Sequence, residues 1–95
     1  MTLPELSSLL WGTAPNQPQD TGWFGCPAGA RRRVIRKDAG TTLYFSRIPG
    51  KCGVSVVESL HGQRHSEHYE VLATPEAVDV YCDAVAERYL RGERW

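Results

Sequence analysis

Apolar positions recur at helical spacing at both ends of this chain and gather into short β-branched and aromatic runs between them. Leu3, Leu6, Leu9 and Leu10 predict a short helix over residues 2–11. Thr2 and Glu5 form a capping box, Pro4 suits the first turn, and Gly12 is a stop. A helix this short does not stand alone in water, so it is expected to dock on its own domain or on a partner. Residues 13–22 (TAPNQPQDTG) hold almost nothing to bury and read as a connector. Trp23, Phe24, Gly25, Cys26 and Pro27 then suggest an anchored aromatic turn.

Four strands are predicted next. Arg31–Lys37 has Val34 and Ile35 as its apolar content and ends at the turn Asp38-Ala39-Gly40. Thr41–Ile48 is rich in Thr, Tyr, Phe and Ile, and Pro49-Gly50 closes it as a reverse turn. Cys52–Leu60 follows with Val54, Val56 and Val57; a polar loop, His61–Ser66, leads to a short fourth strand over Glu67–Leu72. Connections of hairpin length imply an antiparallel meander. The last helix carries strong signals: Thr74 as cap, Pro75 at its first position, Glu76 at the positive end of the dipole, and Gly92 as stop. Val78, Tyr81, Cys82, Val85 and Tyr89 form its buried face, and Asp79, Asp83 and Glu87 an acidic stripe. The fold class is α+β: a four-stranded antiparallel sheet packed against a C-terminal helix, with a short N-terminal helix. Residues 1–22 make the N-terminal helix and flexible connector, and residues 23–95 the ββββα domain.

Length and composition change this picture little, since 95 residues with 41% apolar content suit one modest globular domain. No apolar run reaches the length of a membrane span, and no basic-then-apolar leader opens the chain. The three cysteines, Cys26, Cys52 and Cys82, include no CxxC pair, so a reduced, cytoplasmic protein is expected. Charge matters more. Lys and Arg balance Asp and Glu at eleven each, yet eight of the cations fall in residues 31–64 beside only Asp38 and Glu58. Residues 65–95 reverse the ratio, with seven acids against three arginines. A phosphate backbone responds to the local field of one face and not to the sum.

From residue 41 the chain reads TTLYFSRI, PGK, CGVSVVESL, a polar loop, HYEVLA and TPEAVDVYCDAVAERYL. Gly50-Lys51 stands in the turn between basic strands, Val71-Leu72 in the short strand, and Pro75-Glu76 at the helix start. Over residues 41–91 this resembles the single-strand DNA-binding domain of the transcriptional coactivator positive cofactor four and its bacterial and phage relatives. Pur-type and whirly-type binders use similar ββββα units. The resemblance implies a homodimer of curved sheets that binds exposed bases and phosphates. The first forty residues have no counterpart in that family, the helix here is acidic, and the family's Trp-Pro-rich strand details are absent.

The candidate nucleic-acid-binding residues are therefore Arg31, Arg32, Arg33, Arg36, Lys37, Arg47, Lys51 and Arg64, with Trp23, Phe24 and Tyr44 for base stacking. Strand alternation places Arg31, Arg33 and Lys37 on one side and Arg32 and Arg36 on the other, so only one set faces a single groove. Basic side chains also protect an edge strand from pairing, which is the competing explanation. His61, His65 and His68 are spaced H-x₃-H-x₂-H, but alternation sends His65 and His68 to opposite faces, and surface histidines are expected rather than a zinc site. Cys52 lacks an orienting group for a nucleophile–base pair, and no Gly-rich phosphate loop occurs. No catalytic residue, metal or cofactor is assigned. The expected function is a small non-enzymatic protein, of bacterial or phage type, that binds nucleic acid, single-stranded DNA foremost, as a homodimer. The alternative is a protein-interaction module, an inhibitor or adaptor, that uses the N-terminal helix or the acidic stripe on a protein partner.

Overall fold

A computed structural model describes residues 18–95. The helix expected over residues 2–11 lies outside the described residues, as does most of the connector. Six strands and one helix follow: β1 (Gln19–Asp20), β2 (Phe24–Gly25), β3 (Arg31–Asp38), β4 (Thr41–Arg47), β5 (Gly53–Leu60), β6 (Gln63–Val71) and α1 (Pro75–Leu90). The strands form one antiparallel sheet in the order β1-β3-β4-β5-β6, with β2 also on β3. No helix among the described residues is long and apolar enough to cross a membrane.

The α+β class and the C-terminal helix are as expected, but the sheet has six strands and not four. The two extra strands are two-residue pieces from the segment that the sequence marks as connector and aromatic turn. They are held by backbone pairing with β3, supported at Thr21 by a hydroxyl, which a pattern of apolar positions does not encode. The Thr21 amide donates to the Val34 carbonyl at 3.1 Å, and the Val34 amide donates to the Thr21 hydroxyl at 3.0 Å. The fourth expected strand is also longer. The polar loop reduces to His61-Gly62, both at positive φ (52° and 82°), the signature of a tight hairpin turn whose twist matches its strands. β6 lies at the sheet edge with most side chains exposed, so it has no apolar alternation to read.

The turn at Pro49-Gly50 and both ends of the C-terminal helix form where the sequence marks them. Gly50 takes φ 79°, and the Lys51 amide donates to the Ile48 carbonyl at 3.1 Å. The Thr74 hydroxyl accepts from the Ala77 amide at 3.1 Å, and Gly92, at φ 77°, closes the helix. Ile35, Leu43, Phe45, Val54 and Val56 project from one face of the sheet onto Val78, Cys82, Val85, Ala86 and Tyr89 of α1. Each fully buried Val, Leu, Ile or Phe among them contributes roughly 1.5–3 kcal/mol. Tyr81, expected in this face, is half-buried at its margin. The opposite face of the sheet is not covered by any helix among the described residues.

Candidate nucleic-acid interface

Strand register divides the basic block between the two faces. Cross-strand partners share a face, and Arg33 opposes Phe45 while Arg31 opposes Arg47, so these three arginines belong to the helix side. Arg33 joins Asp20 at 2.6 Å and Asp83 of α1 at 2.5 Å. Its hydrogen bond to Asp20 outweighs burial and raises the guanidinium above its ordinary pKa. Burial pushes the Asp20 carboxyl up, but Arg33 and the Gly22 amide together hold it below the usual value. Arg47 is 8% exposed; it bonds Asp79 of α1 and donates to the Pro75 carbonyl at 3.0 Å. Its guanidinium lies 5.4 Å from the Trp23 ring, which packs on Phe45 with centroids 6.3 Å apart. Lys37 sits over the Tyr89 ring at 5.2 Å.

Much of the charge sorting along the chain thus resolves into sheet–helix pairing. The acidic stripe of α1 meets the basic strands, and Asp79 and Asp83 are the counterparts of Arg47 and Arg33. Arg33, Arg47, Lys37 and Trp23 bind the helix to the sheet and do not lie with Tyr44. Arg31 and Lys51 are exposed, the first on the helix side and the second in the β4–β5 turn. The eight cations do not converge on one surface.

A smaller group does converge on the open face. Three rungs run across β3, β4, β5 and β6: Arg32, Ser46, Ser55, Tyr69; Val34, Tyr44, Val57, Glu67; and Arg36, Thr42, Ser59, Arg64. Successive rungs on one face are roughly 6.6 Å apart. Phe24 of β2 lies beside Arg32 and is 37% exposed; Tyr44 is 40% and Tyr69 66% exposed. The serines are short, so a concavity of about 460 Å³ opens between Arg32, Tyr44, Ser55, Arg64 and Glu67. The Arg64 guanidinium donates to Glu67 at 3.1 Å, an exposed pair worth little in water. Of the residues that the sequence offers as candidates, Arg32, Arg36, Arg64, Tyr44 and Phe24 fall on this face; Tyr69 was not among them. Tyr69 and Val71 both point to the open side, but two such residues on a polar edge strand are too few to mark a face.

Among the described residues no cluster of three or more His, Cys, Asp or Glu is placed to hold a metal ion. His61 folds over Gly40 and His68 bonds Glu70 at 2.7 Å. His65 and His68, expected on opposite faces, line one cavity on the helix side, because β6 carries a bulge at His65 that resets the alternation. The three cysteines are free thiols, and burial pushes the Cys82 thiol up to about 12. Comparisons with protein-family models, with curated proteins and with solved structures find no match to this chain.

Proposed function

We propose that this is a non-enzymatic binding protein whose open sheet face takes single-stranded nucleic acid, DNA foremost. One observation carries the reading: Arg32, Arg36 and Arg64 stand on the same face as Tyr44, Tyr69 and Phe24, interleaved by register. Guanidinium groups among exposed rings suit a strand whose phosphates run along the cations while its bases stack, and stacking on an aromatic residue is tolerant of sequence. A duplex, with its bases already stacked, would leave those rings unused. The interface comprises Arg32, Arg36, Arg64, Tyr44, Tyr69 and Phe24; the helix-side residues Arg33, Arg47 and Trp23 serve the fold. A homodimer would extend the surface, and light scattering on the purified protein tests that extension.

The test is a comparison of variants with a labelled single-stranded oligonucleotide. Arg32→Gln with Tyr44→Ala should weaken binding by roughly tenfold or more, on the scale of one stacked base and one phosphate contact. Arg88→Gln, on the exposed side of α1, removes the same charge and should leave affinity unchanged. Equal binding by all three proteins would remove the open face from the account. The second reading, a protein partner, draws on the exposed apolar content of the same face: Tyr69 and Val71 are each 66% exposed. A partner captured from lysate that survives nuclease treatment, together with no oligonucleotide binding, would favour it.

A further inference from the structure

Glu67 sits where a phosphate-binding surface has least use for it. On the three rungs of the open face it is the one carboxylate, at the β6 end of the rung Val34, Tyr44, Val57, Glu67. A negative charge among arginines weakens their attraction for a backbone that is itself negative. Stability does not account for it either. The Arg64–Glu67 pair, at 3.1 Å, is more than half exposed at both ends, and such a pair adds little to folding.

The surroundings give the carboxylate another use. Tyr44 and Glu67 stand on either side of Val57, two strand spacings or roughly 10 Å apart. The neighbours of Val57 on this face of β5 are Ser55 and Ser59, so nothing large fills the gap. The concavity of about 460 Å³ therefore has Val57 as its floor, Tyr44 and Glu67 as its walls, and Arg32 and Arg64 at its ends. A flat base lying over Val57 brings one edge to Glu67 and its rings to Tyr44. The Arg64 guanidinium, bonded to Oε2, steadies the carboxylate. A carboxylate oxygen has two lone pairs, so Oε2 can accept a second time.

An ionised carboxylate accepts and does not donate, so it selects for the donors on a base edge. Guanine presents two neighbouring donors, N1–H and N2–H, which match the two carboxylate oxygens. Adenine and cytosine offer one amino group beside a ring nitrogen whose lone pair faces the carboxylate. Thymine offers one N–H between two carbonyls, and both repel the negative charge. Unstacked bases in single strands are read by such edges, and bonds to a charged acceptor are the strong ones.

We propose that this concavity takes one unpaired guanine, with N1–H and N2–H on Glu67, its rings over Val57 against Tyr44, and Arg64 as the positioning residue. The inference rests on the open-face reading and adds a base preference that stacking alone does not give. The experiment is fluorescence anisotropy with labelled oligothymidine and with the same strand carrying one central guanine or inosine. The guanine strand should bind about fivefold or more tighter than the all-thymine strand, and inosine, which lacks the 2-amino group, should fall between them. Glu67→Gln, at a side chain more than half exposed, should leave Tm unchanged and erase that gain. It should bind the all-thymine strand as tightly as before, or more tightly. Equal affinity for the guanine and thymine strands overturns the proposal and leaves the open face in place. So does a guanine preference that survives Glu67→Gln. Failure of every strand to bind removes the open-face reading itself, and this proposal with it.

Discussion

Arg47 is the residue on which the two halves of the domain meet. Its guanidinium leaves β4, bonds Asp79 and the Pro75 carbonyl at the start of α1, and covers the Trp23 ring. Arg47→Ala should lower unfolding free energy by about 2–3 kcal/mol in urea denaturation, since packing and a charge-assisted bond vanish together. Asp79→Ala should cost less, because its carboxylate is more than half exposed. Cys82 gives a second check. Its thiol is buried beneath the helix, so of the three cysteines it should be the slow one towards a thiol reagent at about pH 8, where model thiols already ionise. The sign for stability follows from its raised folded pKa: between about pH 9 and 12 the unfolded chain releases this proton first, so stability falls as pH rises through that window. Little of this was legible beforehand. Alternation separates Arg33 from Arg32, but an acidic partner fifty residues along the chain leaves no local trace.

At the scale of elements, the helix and the two central hairpin strands were the legible parts. Thr74, Pro75 and Gly92 are local chemistry, and a cap works the same way wherever the helix docks. β4 and β5 bury one face and so display a period of two. β3 also matches its expected span to within one residue, and what departed from expectation did so for physical reasons. β1 and β2 join the sheet through backbone bonds, and the first half of β6 is a polar edge that reads as a loop. The bulge at His65 shifts the alternation of β6 by one residue, which no pattern of residue types announces, whereas Lys37 keeps the side that alternation gives it. Gly53 offers a test of the β5–β6 pairing. The Tyr69 ring folds over it, and a methyl group there would meet the Tyr69 hydroxyl end. Since Tyr69 is exposed and swings aside easily, Gly53→Ala should change stability by no more than about 1 kcal/mol. It should displace the ring and weaken oligonucleotide binding several-fold. Unaltered binding in a variant whose Tyr69 resonances have moved would take that ring out of the interface.

The whole molecule is a sheet with two unlike sides. One side spends its basic residues on the acidic stripe of α1, which accounts for a chain that is neutral in total yet sorted in sequence. The other side carries fewer cations, set among exposed rings. Surplus charge over residues 31–64 therefore overstates the field available to a phosphate backbone, and the salt dependence of binding measures what remains. Each phosphate contact on a single strand contributes about 0.7 to the slope of log affinity against log salt, so three arginines predict a slope near −2. Fluorescence anisotropy with a labelled single-stranded oligonucleotide at 50 and 200 mM salt reads this directly. The open-face account predicts an affinity lower by roughly 15–20-fold at the higher salt. No binding at micromolar protein, or binding indifferent to salt, would contradict it.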